Sequence, residues 1–224
     1  MRINDDFSKP AFVHATQLDW LASPALGVDR KMLFRIGEEK ARATSIVRYA
    51  PGSTFPAHMH TGGEEFVVLD GVFQDEHGDY PAGSYIRNPP GTSHTPASAW
   101  GCTIFVRLWQ FRAGDQSQTV RRPGECRKHV PRPGVEASTL LFDDGYEEVR
   151  LEGWHAGATV EIPNPTGLEF LVLKGDMTAG GERLDSWSWG RLPAGLDLHA
   201  ETGAQGAEVW MKLGPLLHPD VCKF

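Results

Sequence analysis

An internal repeat constrains the fold of this chain more than any other feature. Glu64 to Gly71 reads EEFVVLDG, and 104 positions later Leu168 to Gly175 reads LEFLVLKG. The turn Pro89-Pro90-Gly91 returns at the same offset as Pro193-Ala194-Gly195. A chain of 224 residues that repeats itself once is expected to form two similar units of about 110 residues, each of ordinary domain size. Around the repeated segments lie short runs rich in β-branched and aromatic residues, such as TSIVRYA (Thr44 to Ala50) and CTIFVRLWQF (Cys102 to Phe111). Turn signals such as Pro51-Gly52 and DEHGD separate them, so strands recur as in a sandwich or barrel. The expected fold class is all-β, with two tandem barrels. Residues 1–43 read as an N-terminal arm packing on a barrel, 44–111 as the first barrel, 112–134 as a basic linker rich in proline and glycine, and 135–224 as the second barrel.

The first half carries chemistry that the second lacks. In GSTFPAHMHTGGEEFVVLDG (Gly52 to Gly71), His58 and His60 are two residues apart, so on an extended strand both imidazoles face one side. Thr61, Gly62 and Gly63 turn the chain, and Glu64 stands at the mouth of the apolar run FVVL, where a carboxylate needs a partner. A second segment, GSYIRNPPGTSH (Gly83 to His94), supplies His94 as a fourth metal ligand. The repeat offset puts Ile162, Asn164, Leu168 and Leu198 at the positions of His58, His60, Glu64 and His94, so no such site is expected in the second half. His199 lies one position off, which on a strand turns its side chain to the other face. The offset also separates the two glutamates. Glu65 survives as Glu169 in the half without ligands, which makes Glu64 the ligand and Glu65 a structural hydrogen-bond or ion-pair partner common to both halves. His14, His77, His129, His155 and His218 read as core or surface residues.

Charge and composition exclude several function classes. A formal net charge of -7 argues against a general nucleic-acid or acidic-membrane surface. No apolar stretch is long enough to span a bilayer, and MRINDDFSKP lacks the apolar core of a signal peptide, so a cytoplasmic protein is expected. Cys102, Cys126 and Cys222 form no CxxC pair and are expected as reduced thiols. The linker holds Arg112, Arg121, Arg122, Arg127, Lys128 and Arg132, read as a solvated connector, with Cys126 beside two cations that could lower a thiol pKa.

The spacing Gly52, five residues, His58, one, His60, three, Glu64, six, Gly71 resembles the first cupin motif. Gly83, five residues, Pro89, one, Gly91, two, His94 resembles the second, with Ser98 where that motif often ends in asparagine. More narrowly, most of residues 10 to 110 is similar to the cupin domain of ChrR-type anti-sigma factors. The resemblance implies a bicupin with a degenerate second barrel, and one divalent metal on His58, His60, Glu64 and His94. Zinc is the occupant expected in the sensor branch, with iron, manganese or nickel as alternatives. ChrR proteins bind an extracytoplasmic-function sigma factor through an N-terminal zinc domain, but this chain has no HxxxCxxC, so no sigma-factor partner is expected. The resemblance leaves three function classes. The first, and the one expected, is a regulatory or oxidative-stress sensor. The second is an iron-dependent dioxygenase of a small diketone or hydroxylated aryl ketone, with Phe66, Phe73 and Tyr85 lining the cavity. The third is a module that binds a small molecule without chemistry. A homodimer paired through strand edges is expected.

Overall fold

The computed structural model describes residues 1–216, so His218 and Cys222 lie outside the described residues. Strands dominate, no α-helix occurs among the described residues, and one 3-10 turn sits at Ala15–Gln17. Among the described residues no helix is long and apolar enough to cross a membrane. The chain divides into two compact units. Among the described residues, one comprises Met1–Asp5 and Asp19–Glu125, the other Asp6–Leu18 and residues 126–216.

Both units use one strand order. In the first, neighbouring strands run Val28–Gly37, Ala41–Tyr49, Cys102–Leu108, Glu64–Asp75, Tyr85–Asn88, Thr119–Arg121. In the second they run Val135–Asp143, Glu148–Trp154, Leu198–Leu213, Leu168–Ala179, Ser188–Leu192, Ala11–His14. The long strands at the centre, Glu64–Asp75 and Leu168–Ala179, are the repeated sequence segments. Each alternates apolar side chains into its own core. Phe66, Val68 and Phe73 pack with Ile104 and Val106 in the first unit, and Phe170, Val172 and Met177 pack with Val209 and Met211 in the second.

The polar positions repeat as well. Glu65 is buried, accepts a hydrogen bond from the Tyr85 hydroxyl at 2.6 Å and pairs with Arg107 at 2.5 Å. Glu169 is equally buried and accepts from the Trp189 indole N–H at 2.8 Å. Tyr85 and Trp189 are themselves related by the repeat offset, so one buried carboxylate ties the same two strands together in each unit. Glu65 is therefore structural, as the comparison of the two halves implied.

The segments outside the expected barrels are also strand. Residues 1–43 are not a single arm, because the ten-residue strand Val28–Gly37 pairs along Ala41–Tyr49, and Ala11–His14 pairs with Ser188–Leu192 of the second unit. The stretch 112–134 is not a bare linker. Thr119–Arg121 pairs with Tyr85–Asn88, and Lys128–His129 pairs with Val135–Asp143. Asp115 is buried as the counter-ion of Arg87 at 2.6 Å, and Arg132 is bound to the buried Glu152, so part of this basic stretch is committed to the fold. Cys102 is buried, and burial pushes its thiol up to about 11, which keeps it protonated.

Two glycines fix the bend in each central strand. Gly71 has φ +71, and a Cβ there would lie 2.2 Å from the Gly101 carbonyl oxygen. Gly175, at φ +73, would place a Cβ 2.0 Å from the Gly206 carbonyl oxygen. Each therefore needs both the left-handed backbone and the close approach. Gly52 has a similar φ of +76 but open space around it. Gly71→Ala is expected to lower unfolding free energy by about 2–5 kcal/mol, combining backbone strain and overpacking, against about 1–2 kcal/mol for Gly52→Ala. Urea unfolding of the two variants measures the difference.

Candidate metal centre

The two motif segments meet as a short ladder. His58–Met59 pairs antiparallel with Ser93–His94, and His58 stands directly opposite His94. The pairing continues through loop backbone, with the His60 N–H donating to the Thr92 carbonyl at 2.8 Å and the Gly91 N–H to the His60 carbonyl at 3.0 Å. His60 follows His58 on the same face, and the turn through Gly62 and Gly63 returns the chain so that Glu64 starts the central strand beside them. Both glycines are needed there for space. A Cβ on Gly62 would lie 2.1 Å from the Trp109 ring, and one on Gly63 2.3 Å from the Phe111 ring.

The result is a compact cluster. The ring centroids of His58 and His60 are 5.1 Å apart, those of His58 and His94 5.2 Å, and those of His60 and His94 4.5 Å. One ligand nitrogen from each of the three lies within 4.8 Å of the others. Glu64 Oε2 is 3.3 Å from His60 Nε2 and 3.5 Å from His94 Nε2. Donors bound at about 2.1 Å to one cation stand about 3.0–3.4 Å apart when adjacent, close to the two separations of Glu64 Oε2 from the histidine nitrogens.

Hydrogen bonds on the far side of each ring fix what faces inward. His58 Nδ1 is 3.1 Å from the Pro56 carbonyl, which can only accept, so Nδ1 carries the proton. His60 Nδ1 is 3.1 Å from the Thr92 hydroxyl, which already donates to the Pro89 carbonyl at 2.7 Å and so accepts from the ring. His94 Nδ1 donates to Asp75 Oδ2 at 3.3 Å. All three imidazoles therefore turn an Nε2 lone pair toward the cluster, the arrangement of outer partners that orients metal-binding histidines. His60 Nε2, His94 Nε2 and Glu64 Oε2 are buried and have no hydrogen-bond partner. Buried acceptors converging in this way are costly unless a cation lies among them. Burial also holds His60 below the ordinary histidine range, against the pull of Glu64, so His60 itself offers a lone pair at neutral pH. The donor set, three imidazoles with a carboxylate beside them, fits a divalent transition metal.

Asp75 acts on the cluster through His94. Burial alone would raise its carboxyl, but hydrogen bonds from the His94 ring, the His77 amide and the Tyr80 hydroxyl outweigh burial and hold it below the usual carboxylate range. Burial alone would lower His94, yet Asp75 and Glu64 together raise it.

A cavity of 260 Å³ opens on one side of the cluster, with His58, His60 and Glu64 in its wall. Its other walls come from one face of three neighbouring strands: Val28, Arg30 and Arg35; Ser45, Val47 and Tyr49; Ile104, Val106 and Leu108. Phe55 and Trp109 complete it. The aromatic residues expected from the sequence are elsewhere. Phe66 and Phe73 belong to the apolar core, with Phe73 against the His94 ring at 5.7 Å, and Tyr85 is spent on Glu65. Tyr49, Trp109, Arg30 and Arg35 carried no site signal in the sequence, because the last two lie in what reads as an arm.

The positions equivalent to the ligands are filled differently in the second unit. Ile162, Leu168 and Leu198 are part of its apolar core. Asn164 is buried, donates to the Pro193 and Leu196 carbonyls at 2.9 Å each, and accepts from the Gly167 N–H at 2.7 Å. His199 is exposed, 3.4 Å from Glu161, as its strand parity predicts. His77, His129 and His155 are exposed, and His14 lies 3.2 Å from the Ser188 hydroxyl, so none of them joins the cluster.

Comparison with known proteins agrees with this geometry. Residues 8–112 match the family described as the ChrR cupin-like domain. Solved structures similar to the whole chain include a candidate dioxygenase from Nostoc punctiforme, with TM-score 0.72, 14% identity, and coverage of 97% of this chain and 87% of that one. A bacterial pirin, YhhW from Escherichia coli, in complex with nickel(II), aligns with TM-score 0.66, 15% identity, and coverage of 92% and 100%. A Cupin 2 conserved barrel domain protein from Leptotrichia buccalis aligns with TM-score 0.61, 11% identity, and coverage of 96% and 100%. At these identities the likeness shows the cupin fold. The sequence matches no curated protein. The cluster thus lies within the segment that matches the ChrR cupin-like domain.

Two substitutions separate ligand from support. His94→Ala is expected to abolish stoichiometric metal while leaving the far-ultraviolet strand signal intact, because other residues build the core. Asp75→Asn keeps the ligand but weakens its orientation, and is expected to lower metal affinity about 10- to 100-fold. Protons compete for the same nitrogen lone pairs, so affinity in both the wild type and Asp75→Asn falls as pH is lowered. The raised His94 takes up its proton first. Competitive chelator titration with metal analysis across pH measures all three effects.

Proposed function

We propose that His58, His60, Glu64 and His94 together hold one divalent metal ion, and that the chain is a metal-dependent dioxygenase of a small enolisable substrate. The observation that carries this reading is the 260 Å³ cavity into which the cluster faces. A metal enclosed by four protein ligands and packed side chains would brace the barrel and nothing more. A metal whose ligands form part of a cavity wall can exchange solvent for substrate. Iron(II) in such a site supplies redox chemistry with dioxygen and polarises a bound enolate.

The protein's own groups suit that task. Val47, Phe55, Ile104, Val106 and Leu108 make walls that exclude water from a bound substrate. Tyr49 also lines the cavity, and its hydroxyl has no hydrogen-bond partner among the described residues. Burial, reinforced by the nearby charge of Glu64, pushes its pKa well up, so it keeps its proton and can donate to a substrate oxygen. His94, held by Asp75, keeps the cluster in register while the cavity side exchanges. The name of the Nostoc punctiforme neighbour is in keeping with this reading.

A second reading, a zinc-holding regulatory or oxidative-stress sensor, is supported by the match of residues 8–112 to the ChrR cupin-like family. It comes second because a sensor of that kind needs a closed site, whereas this cluster borders open volume. The test is reconstitution under nitrogen with iron(II) or zinc, followed by oxygen-electrode assay with 1-phenyl-1,3-butanedione. The dioxygenase reading expects uptake of one dioxygen per diketone consumed in the iron form. It also expects no uptake with zinc, and a loss of more than about 100-fold in His94→Ala. One equivalent of zinc in protein from its native source, with no uptake by the iron form on diketones or hydroxylated aryl ketones, favours the sensor.

A further inference from the structure

The cavity wall holds a buried cation that the metal chemistry does not require. Arg35 is 4% exposed and lines the same cavity as His58, His60 and Glu64. It donates to the Glu38 backbone carbonyl, and no carboxylate lies within ion-pair distance of it among the described residues. A guanidinium has five N–H donors in a fixed fork, so Arg35 keeps donors for an acceptor besides that carbonyl. Arg30 lies in the same wall. It is paired with Glu39 at 3.1 Å, which is exposed, while its own Nε is buried without a partner. The two arginines thus bring two positive charges to the cavity; Glu39 pairs closely with Arg30, while Glu39 and Glu38 act on Arg35 from beyond ion-pair distance.

The strand geometry explains how both came to face inward. Arg30 pairs with Val47 and Arg35 with Ala43, and the register shifts between Met32 and Phe34. An odd separation of five would put residues 30 and 35 on opposite faces of a regular strand. The bulge inserts one residue and returns Arg35 to the face of Arg30. Bulges often re-aim a side chain beside a functional site, and here the side chain re-aimed is a cation facing the same space as the proposed metal ligands.

We propose that the cavity takes a small organic acid, whose carboxylate pairs with Arg35 while its carbonyl or enol oxygen reaches the metal cluster. This rests on the metal-dependent reading above and narrows its substrate class to enolisable oxo acids. A planar guanidinium matches a carboxylate in two parallel hydrogen bonds, so it orients the acid as well as attracting it. The apolar walls then receive the remaining hydrocarbon.

The probe is phenylpyruvate, an enolisable aromatic oxo acid, compared with its uncharged methyl ester by anaerobic titration calorimetry of the metal-loaded protein. The expected result is binding of the acid about 10- to 100-fold tighter than the ester, the range of a charge-assisted hydrogen-bonded pair. Arg35→Met, close to arginine in length and apolar, is expected to bring the two affinities together at unchanged metal content, and Arg35→Lys to restore part of the preference. Ester bound as tightly as acid by the wild type overturns the proposal, and that comparison needs no variant to fold. Acid preference surviving in Arg35→Met also overturns it, since the carboxylate would then be chelating the metal. Absence of stoichiometric metal in the wild type is a separate failure, which falls on the metal-dependent reading.

Discussion

Two buried imidazole nitrogens, from His60 and His94, converge with the buried Glu64 carboxylate oxygen and the half-buried His58, an arrangement that is costly unless a positive charge sits among them. That constraint organises the first unit. The outward-facing nitrogens are each tied to an acceptor, Pro56, Thr92 or Asp75, so none of the three rings can turn to relieve the convergence without breaking a hydrogen bond. The backbone is tied in turn, through the His58–His94 ladder and the His60 and Gly91 amides. The fold therefore commits two loops, and the start of its central strand, to a geometry that suits a bound cation.

The second unit shows what the same frame does without that demand. Its strand order, central bend and buried glutamate repeat those of the first, but Ile162, Leu168 and Leu198 fill the space with apolar side chains. Asn164, at the position of His60, ties its two loops with side-chain hydrogen bonds. One backbone contact is kept in both: the Gly91 N–H donates to the His60 carbonyl, and the Gly195 N–H to the Asn164 carbonyl. The loop pairing thus belongs to the frame, and the ligands are an addition to it. An amide suffices where the loops must only be held, and imidazoles are needed where a cation must be held as well.

The parts of this arrangement written in local spacing were legible in the sequence. His58 and His60 on one strand face, Glu64 rather than Glu65 at the cluster, and the loss of all four positions in the second half follow from periodicity and the repeat offset. What was not legible depended on interruptions of local rules. VDRKMLFRIG does not read as a strand because its charges face a cavity and its bulge breaks the alternation, so Arg30 and Arg35 were placed in an arm. Ala11–His14 pairs with Ser188–Leu192, far along the chain, and four residues carry no signal of a distant partner. Trp109 reaches the cavity with φ +60 and through the gap left at Gly62, neither of which composition reveals. Asp75 supports His94 from 19 residues away, a distance at which spacing says nothing about contact.

The central claim is that one metal is held by three imidazoles and one carboxylate with a face open to the cavity. X-ray absorption spectroscopy of the metal-loaded protein counts and identifies those donors directly. The account predicts three imidazole nitrogens and one carboxylate oxygen at about 2.0–2.2 Å, with at least one further light donor from solvent. Sulfur in the coordination sphere, or a closed four-coordinate shell with no exchangeable position, would contradict it.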